Sequence, residues 1–337
     1  MSTQAPSEAA EIDVGARARA GGGDLAGWLR RYGVLLAFLL IVALFTALNP
    51  QTFFSLDNAA VILNNSQSLG ILALGLTVCL VVGEFDLSIG YVASFIGMLS
   101  VGVMVTQDQG AIAGVLAGLA AAAAIGLVNG LVVTRLGVAS LITTLSVGSV
   151  AAGLNYLYGR GDAITSGLPT AITDFNRVIV LNVRGVVFVW LGLAVVLWFV
   201  LGLTEYGRRA YAVGSSPRAA RMSGVNVERT KVIAFVVCSL IAGLCGLAIA
   251  ASTAGATPQA GDGLLLDAYA AAFLGSVVLR EGQFNVVGTV VAVLLLKTIE
   301  NGLAQAGVDF SYATIVKGLL LIGAVALARS SRRKARV

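Results

Sequence analysis

The sequence predicts an all-α polytopic membrane protein, and three observations carry that prediction. Hydrophobic residues make up 58% of the 337 residues and charged residues only 12%, whereas soluble domains are about 25% charged. Apolar runs long enough to cross a hydrocarbon core of ~30 Å recur along the chain. The basic residues cluster in alternate connections between these runs, which is typical of membrane proteins.

Ten transmembrane helices are predicted, and eight or nine crossings remain an alternative because one span is short. The predicted spans are Tyr32–Leu48, Leu56–Val82, Ser88–Val105, Ala111–Thr134, Ala139–Tyr158, Val186–Leu203, Val232–Ala251, Leu264–Val278, Phe284–Ala304 and Tyr312–Ala328.

The distribution of positive charge predicts the orientation. With ten spans that start inside, 17 of the 22 lysines and arginines fall in inner segments, three fall in outer segments and two lie within spans. Cytoplasmic connections of membrane proteins carry this excess of basic residues, so both termini are predicted to be cytoplasmic. The basic residues do not gather on one soluble domain, so the net charge of +5 does not indicate a nucleic-acid partner.

Four regions follow from this organisation. Residues 1–27 are small, polar and glycine-rich, and they lack the apolar core of a signal peptide, so a disordered cytoplasmic tail is predicted. Residues 28–328 form the membrane domain, which contains a cytoplasmic loop at 204–231. Residues 329–337 form a basic cytoplasmic tail.

The composition argues against several kinds of catalytic site. The chain has no histidine, which removes the commonest acid–base group and metal ligand. It also has no Gly-Lys dipeptide, so it cannot contain a Walker A phosphate loop. Its three cysteines lie in apolar runs and are predicted to be inert packing residues. We therefore expect no enzymatic activity, no metal and no cofactor bound by this chain.

The second span contains an unusual polar run. Five polar residues, 64–68, precede an apolar stretch, Leu69–Val82, that is only ~21 Å long as a helix. The run forms either an external loop or a break in the helix beside a water-filled cavity, where backbone irregularity is tolerated. The second interpretation is favoured, and it makes Asn64, Asn65 and Gln67 candidate residues of a solute pathway.

The stretch Gly-Glu-Phe-Asp-Leu-Ser-Ile-Gly, residues 83–90, places two acids beside a very apolar run. Asp86 and Ser88 are candidate capping residues for the third span, since they can accept backbone N–H groups near the positive end of a helix. Glu84 is harder to explain, because an acid near membrane depth is costly unless it is paired or hydrated. All three also remain candidates for the solute pathway.

Two further patterns concern packing and symmetry. Span four carries a small residue at every fourth position, which permits a neighbouring backbone to approach closely. Residues 282–288, Gly-Gln-Phe-Asn-Val-Val-Gly, weakly echo the 83–90 stretch at the start of span nine. The echo suggests an internal repeat, which transporters often contain.

The run from Val61 to Gly90 resembles a conserved region of permease subunits from ribose- and xylose-type ABC sugar importers. Three more stretches resemble the same family in the same order: 211–226, 266–275, and 301–308 followed by 316–320. The resemblance covers roughly residues 57–327. Glu84 departs from it by replacing a glycine, and the region around Ser276 is less rich in glycine than the family pattern, so the particular sugar is left open.

The resemblance implies partners and a function that composition does not. It implies the membrane-spanning permease of a bacterial inner-membrane importer for a small hydroxylated solute, such as a pentose or hexose. Two copies of the permease would assemble with ATPase subunits that bind the ATP, and an extracytoplasmic solute-binding protein would deliver the solute.

The loop 204–231 contains the signals of a short helix. Ser216 is a suitable N-cap, Pro217 suits the first helical position, and Gly224 suits the stop. The helix would present three side chains to a partner, and with the resemblance it is predicted to be the contact that couples the chain to its ATPase. These side chains are Arg218, Arg221 and Met222.

One other class of transporter remains in view. An ion-coupled secondary transporter could use Glu84 or Asp86 as a proton relay. Lys297 and Glu300 stand three residues apart on span nine and are expected to form a structural ion pair.

Overall fold

The computed structural model describes residues 22–278 and 282–309, together with residues 311, 312, 314, 315, 318, 319 and 322. Helices account for almost all of the secondary structure in these residues, and the one small sheet is a hairpin of two strands with two residues each. The elements are α1 (Gly22–Leu48), α2 (Leu56–Val81), α3 (Ile89–Val105), α4 (Gly110–Arg135), α5 (Ser140–Gly159), α6 (Thr170–Arg177), β1 (Ile179–Val180), β2 (Val183–Arg184), α7 (Gly185–Leu203), α8 (Glu205–Ser215), α9 (Pro217–Met222), α10 (Val227–Thr253), α11 (Leu264–Gly275) and α12 (Val286–Gln305).

Nine of the predicted spans correspond to helices of the described chain. Six helices (α2, α4, α5, α7, α10 and α12) are long and apolar enough to cross a membrane, and shorter apolar helices occupy Gly33–Leu48, α3 and α11. Most of the tenth predicted span, Tyr312–Ala328, lies outside the described residues, as do residues 1–21 and 329–337. Helix α1 begins at Gly22, six residues before the predicted start of the membrane domain at residue 28.

The centre of the molecule is formed by α2, α3 and α10. Nearly every residue from Leu69 to Val82 is buried, including polar Thr77. Trp190 of α7 is fully buried and packs against α2 at Gly70, where an added Cβ would lie 2.2 Å from the indole ring. The apolar second half of α2 is therefore the helix around which the other helices pack.

The small-residue face of α4 makes the close helix contacts that its sequence predicts. The buried residues of α4 are Gly114, Gly118, Ala122, Gly126, Asn129 and Gly130. A Cβ at Gly126 would lie 2.6 Å from the carbonyl oxygen of Phe235 on α10. A methyl group would therefore force the two backbones apart, which explains the small side chains on this face.

Helix α2 is continuous through the polar run, so both predicted alternatives, an external loop and a helix break, are wrong. The helix extends from Leu56 to Val81 and includes residues 64–68. The helical backbone satisfies its own hydrogen bonds, and Gln67 donates from Nε2 to the Ser252 hydroxyl of α10 at 2.9 Å. Because polar partners on neighbouring elements are available, the run does not need to leave the helix.

The two ends of the bundle differ in character. One end, called the basic end below, is formed by segments 82–88 and 204–231, and it contains α8 and α9. The other end, called the hairpin end, is formed by segment 159–184 and by residues 253–256, where Ile164 pairs with Ala256. The sequence analysis did not predict α6, the hairpin or α8.

The echoing stretches 83–90 and 282–288 each begin with a left-handed glycine, but they enter their helices differently. Asn285 is the N-cap of α12 and accepts from the Gly288 N–H, whereas α3 begins three residues after Asp86 and has no side-chain cap. Gly83 has φ +84° and Gly282 has φ +75°, and each precedes a helix start. Phe85 and Phe284 both pack against Phe273 of α11, with ring centroids 6.4 and 5.3 Å away. The two turns therefore meet on one side of α11.

Candidate functional site

The turn between α2 and α3 is held by hydroxyl groups of α5. The backbone N–H of Phe85 donates to Ser140 Oγ at 3.3 Å, and that of Leu87 donates to Thr144 Oγ1 at 2.9 Å. Gly83, with φ +84°, allows the chain to leave α2 in a left-handed conformation that glycine adopts without strain. The turn is thus a fixed structure within the bundle.

Asp86 lies at the centre of this turn and is fully buried. Its Oδ1 accepts hydrogen bonds from the Ser88 backbone N–H at 2.9 Å and from the Ser88 hydroxyl at 2.5 Å. The Ser88 oxygen in turn accepts from Asn129 Nδ2 of α4 at 3.0 Å. These bonds join α3, α4 and the turn through one buried carboxylate.

The predicted capping roles are therefore corrected in part. Asp86 bonds the amide of Ser88, which precedes α3, and so orders the turn before the helix. Ser88 makes no side-chain cap to α3, because its hydroxyl is already directed toward Asp86 and Asn129.

Two thiols approach the Asp86 carboxylate. One ligand atom each from Cys79, Asp86 and Cys238 lie within 4.8 Å of one another, and all three side chains are buried. Such a donor set is chemically able to bind a soft divalent ion. The Cys79 thiol, however, already donates to the Ala234 carbonyl at 3.6 Å, and the group forms a polar contact between α2 and α10.

Glu84 forms an ion pair with Lys231 in the first turns of α10. Their side chains are only 13% and 18% exposed, respectively. The pair explains how an acid is accommodated at this depth, since a buried charge needs a partner. The partner was not predicted from the sequence, although each residue stands at the end of an apolar span.

A close backbone contact joins the same turn to α8. An added Cβ at Gly214 would lie 2.0 Å from the carbonyl oxygen of Val81, and one at Gly83 would lie 3.4 Å from Gly214 Cα. Gly214 thus depends on the absence of a side chain, whereas Gly83 favours glycine because of its φ of +84°. With the ion pair between Glu84 and Lys231, this contact connects the 83–90 turn to α8 and to the C-terminal end of the 204–231 loop.

The predicted short helix within the loop is confirmed as α9, Pro217–Met222. The Ser216 hydroxyl accepts from the Ala219 backbone N–H at 3.3 Å, and Pro217 occupies the first helical position. Gly224 has φ +80° and ends the helix. Ala220 is the only buried residue of α9, and the three side chains that the sequence singled out are exposed: Arg218, Arg221 and Met222, the last 84% exposed.

The six residues predicted to line a solute pathway do not form one site. Asn64, Asn65 and Gln67 lie in the half of α2 nearer the hairpin end, and Gln67 is ~21 Å of helix away from Val81. Glu84, Asp86 and Ser88 lie at the basic end.

The first group is itself divided. Asn64 binds the hairpin, donating from Nδ2 to the Asn182 carbonyl at 3.0 Å and accepting from the Arg184 N–H at 2.9 Å. Asn65 is exposed, whereas Gln67 is buried with its Oε1 unpartnered within the described residues. Segment 256–263 also carries several polar groups into the bundle, and no sequence pattern predicted it.

Lys297 and Glu300 form the predicted ion pair, with 2.8 Å between Lys297 Nζ and Glu300 Oε2. Both side chains are largely buried, at 13% and 26% exposed. Both residues belong to α12, so each charge on this apolar helix is buried beside a partner of opposite charge.

Known proteins similar to this chain are bacterial permeases. The family described as branched-chain amino acid transport system / permease component matches residues 58–325. The ribose import permease protein RbsC of Escherichia coli (strain K12) is 34% identical over 301 residues, which cover 88% of this chain and 93% of that protein. RbsC of Bacillus subtilis (strain 168) is 33% identical, covering 90% and 94%.

A third relative extends the match toward the ends of the chain. The L-arabinose ABC transporter permease protein AraH of Azospirillum brasilense is 29% identical over 95% of this chain and 93% of that protein. No solved structure is significantly similar to this chain. The resemblance noted in the sequence is confirmed, and the chain belongs to the family of branched-chain amino acid transport system permease components, as the multi-pass membrane permease of a bacterial ABC importer.

Proposed function

We propose that this permease moves a monosaccharide into the cytoplasm, driven by ATP hydrolysis on a partner subunit. The names of its relatives support a sugar, since they are permeases for ribose, D-allose and L-arabinose. A pentose or hexose is therefore the substrate class, and the relatives favour no single sugar. ATP is used by the partner, and this chain binds no cofactor.

The proposed topology has ten crossings with both termini in the cytoplasm. The basic residues at 204–231 support a cytoplasmic position for the basic end of the bundle. The left-handed glycines Gly83 and Gly282, each followed by a phenylalanine that packs on Phe273, support an internal repeat of two halves. Residues 1–27 and 329–337 are proposed as cytoplasmic tails on either side of the membrane domain 28–328.

The observation that carries the proposed mechanism is the exposure of α9 at the basic end. Arg218 and Arg221 are exposed beside Met222, an unbranched apolar side chain that adapts to a shallow pocket. A groove of about 380 Å³ runs between α8 and the end of α9. It is lined by Glu205, Arg208, Arg209, Ala212, Ser223, Gly224 and Val225.

We infer that this surface docks onto the ATPase subunit. An apolar anchor beside positive charges suits a partner with a small apolar pocket and acidic groups at its rim. The force applied there would reach the membrane helices through the Gly214 contact with α2 and through the Glu84–Lys231 pair at the start of α10. An extracytoplasmic solute-binding protein and a second copy of the permease complete the proposed importer.

An ion-coupled transporter is less well supported. Glu84 is already neutralised by Lys231, and Asp86 is engaged by Ser88 at the basic end. A proton relay needs a carboxylate that alternates between two environments. These two acids instead hold fixed structural contacts.

The proposal is tested by combining three substitutions on α9. The variant Arg218→Glu, Arg221→Glu, Met222→Asp places negative charge on the docking surface, and the complex should lose sugar-stimulated ATPase activity and uptake. Single arginine changes should be tolerated, because exposed charge pairs contribute only ~0–1 kcal/mol each. Arg177→Glu, a charge change on an exposed residue at the hairpin end, is the control and should leave both activities unchanged.

The measurement uses the permease with its ATPase and binding protein in proteoliposomes, and it records labelled ribose, allose and arabinose uptake. Normal uptake by the triple variant would refute docking through α9. Uptake without ATP, driven by an imposed pH gradient, would instead establish the ion-coupled alternative.

A further inference from the structure

The chain turns back into the bundle after α10. Helix α10 ends at Thr253, and Ala254 reverses the chain with φ +53°. Residues 255–263 are irregular, and α11 then has only 12 residues, or ~18 Å of helix. The eighth predicted span is therefore a short helix preceded by a non-helical segment.

The contacts of this segment show how deep it reaches. Ala256 pairs with Ile164 at the hairpin end, and the Pro258 carbonyl accepts from Asn155 Nδ2 on α5 at 2.5 Å. Further along, the Gly261 N–H donates to Ser94 Oγ on α3 at 2.9 Å.

Ser94 is only the sixth residue of α3 counted from the basic end, and ~17 Å of that helix separates it from Val105. The start of α11 therefore lies well inside the bundle. Gly90 and Gly261 permit this approach, since a Cβ at Gly261 would lie 2.7 Å from the Gly90 carbonyl oxygen.

Polar side chains accompany the segment. Ser94 Oγ donates to Asp262 Oδ1 at 2.6 Å, and Gln259 Nε2 donates to Tyr156 Oη at 2.6 Å. Asn155 is 1% exposed, and although its amide is directed at the segment, its Oδ1 has no partner among the described residues. A carboxylate, two amides and a phenol are thus gathered before the start of α11.

These groups border a face that the described part of the chain leaves uncovered. Gln259 and Gly263 are exposed, Asp262 is half-buried, and Leu266 and Tyr156 are 67% and 45% exposed. An amide and a carboxylate at this depth cannot face lipid tails without a large free-energy cost. Irregular backbone at membrane depth is likewise found only beside protein or water. The face must therefore border a water-filled route, a second copy of the chain, or both.

We propose that Tyr156, Gln259 and Asp262 form a sugar-binding subsite within the membrane, ahead of α11, and that the buried Asn155 holds the segment in place behind them. This inference rests on the proposed function and gives it a location. The Asp262 carboxylate accepts hydrogen bonds from sugar hydroxyls, and the amide of Gln259 offers both donors and an acceptor. The exposed ring of Tyr156 packs against the C–H face of the sugar. Transporters of other folds likewise bind solute where a membrane helix is interrupted.

The subsite is tested by sugar uptake with Asp262→Asn and Tyr156→Ala in the complete importer. Each should lower uptake at subsaturating sugar about tenfold, the effect of losing one hydrogen bond to a charged group or one packed ring. Tyr156→Phe keeps the ring and should lose less than Tyr156→Ala. Asp174→Asn, an exposed acid on α6, is the matched control and should change nothing.

A second measurement does not depend on tolerance of these variants. Gln259→Cys places a thiol on the exposed face, whereas the three native cysteines are buried. A membrane-impermeant thiol reagent should modify this cysteine. Ribose, allose and arabinose are each added at ~10 mM, and the sugar that the wild-type importer carries should slow the modification several-fold.

The outcomes separate the two proposals. Wild-type uptake of a sugar with unchanged uptake by Asp262→Asn and Tyr156→Ala, and no protection of Gln259→Cys, would overturn the subsite alone. Absence of sugar uptake by the wild-type importer would overturn the proposed function. Loss of pH-gradient-driven uptake in Asp262→Asn would show that this carboxylate carries protons and would refute its role as a sugar ligand.

Discussion

Removing one partner of the Glu84–Lys231 ion pair should destabilise the permease measurably. In Glu84→Gln the Lys231 ammonium, only 18% exposed, loses its carboxylate. Opposite charges ~4 Å apart interact by ~4 kcal/mol at an effective dielectric of ~20, and deleting one partner of a buried pair costs ~3–5 kcal/mol. Because both side chains keep some contact with water, we expect a loss of about 2–3 kcal/mol in the free energy of unfolding.

The double variant separates the interaction between Glu84 and Lys231 from the contacts that each side chain makes with other residues. Glu84→Gln with Lys231→Met removes both charges, and its stability should return to within ~1 kcal/mol of the wild type, since neutral replacement of a buried pair is often near neutral. The coupling free energy from the double-mutant cycle should therefore exceed ~1 kcal/mol. The same cycle on Glu205 and Arg209, whose side chains are 67% and 53% exposed, is the control and should give ~0.5 kcal/mol or less.

The assay is reversible unfolding of the purified permease in mixed micelles, with the four members of each cycle measured under one set of conditions. Raising the salt concentration should reduce the control coupling more than that of the Glu84 pair, because buried charges are screened less. Equal coupling in the two cycles, or a Glu84→Gln variant as stable as the wild type, would show that water screens the pair and would refute this reasoning.

Three further outcomes are expected. Gly214→Ala should reduce the yield of folded permease, because its Cβ would lie 2.0 Å from the Val81 carbonyl oxygen. Gly192 has no atom within 4 Å of an added Cβ, so Gly192→Ala should give a wild-type yield and should raise the free energy of unfolding by up to ~1 kcal/mol. Equal yields would contradict the contact. Asp86→Asn keeps an oxygen that accepts from the adjacent turn and should retain substantial transport, whereas Asp86→Leu should assemble poorly; loss of transport in both would indicate that the charge itself is required. Asn65→Cys should react with an impermeant thiol reagent at a rate that sugar alters, and a fast rate indifferent to sugar would place Asn65 outside the solute pathway.

The sequence by itself determined the membrane class, the positions of nine helices and the short helix α9. These features depend on signals between near neighbours: continuous apolar runs, and the order of Ser216, Pro217 and Gly224 around one helical turn. The small-residue face of α4 could also be predicted from the sequence, because a four-residue period places its members on one side of a helix. Such patterns need no knowledge of what lies across the interface.

Only the tertiary structure decided which polar residues meet. Glu84 and Lys231 are 147 residues apart in the chain, and nothing local to either residue identifies the other. Helix α2 continues through its polar run because Gln67 finds Ser252 on another helix, so the local impression of a break was misleading. Residues 256–263 likewise enter the bundle because α3 and α5 supply hydrogen-bond acceptors and donors for them. In each case a polar group is stabilised inside the membrane domain by a distant partner, and that pairing is a property of the packed bundle.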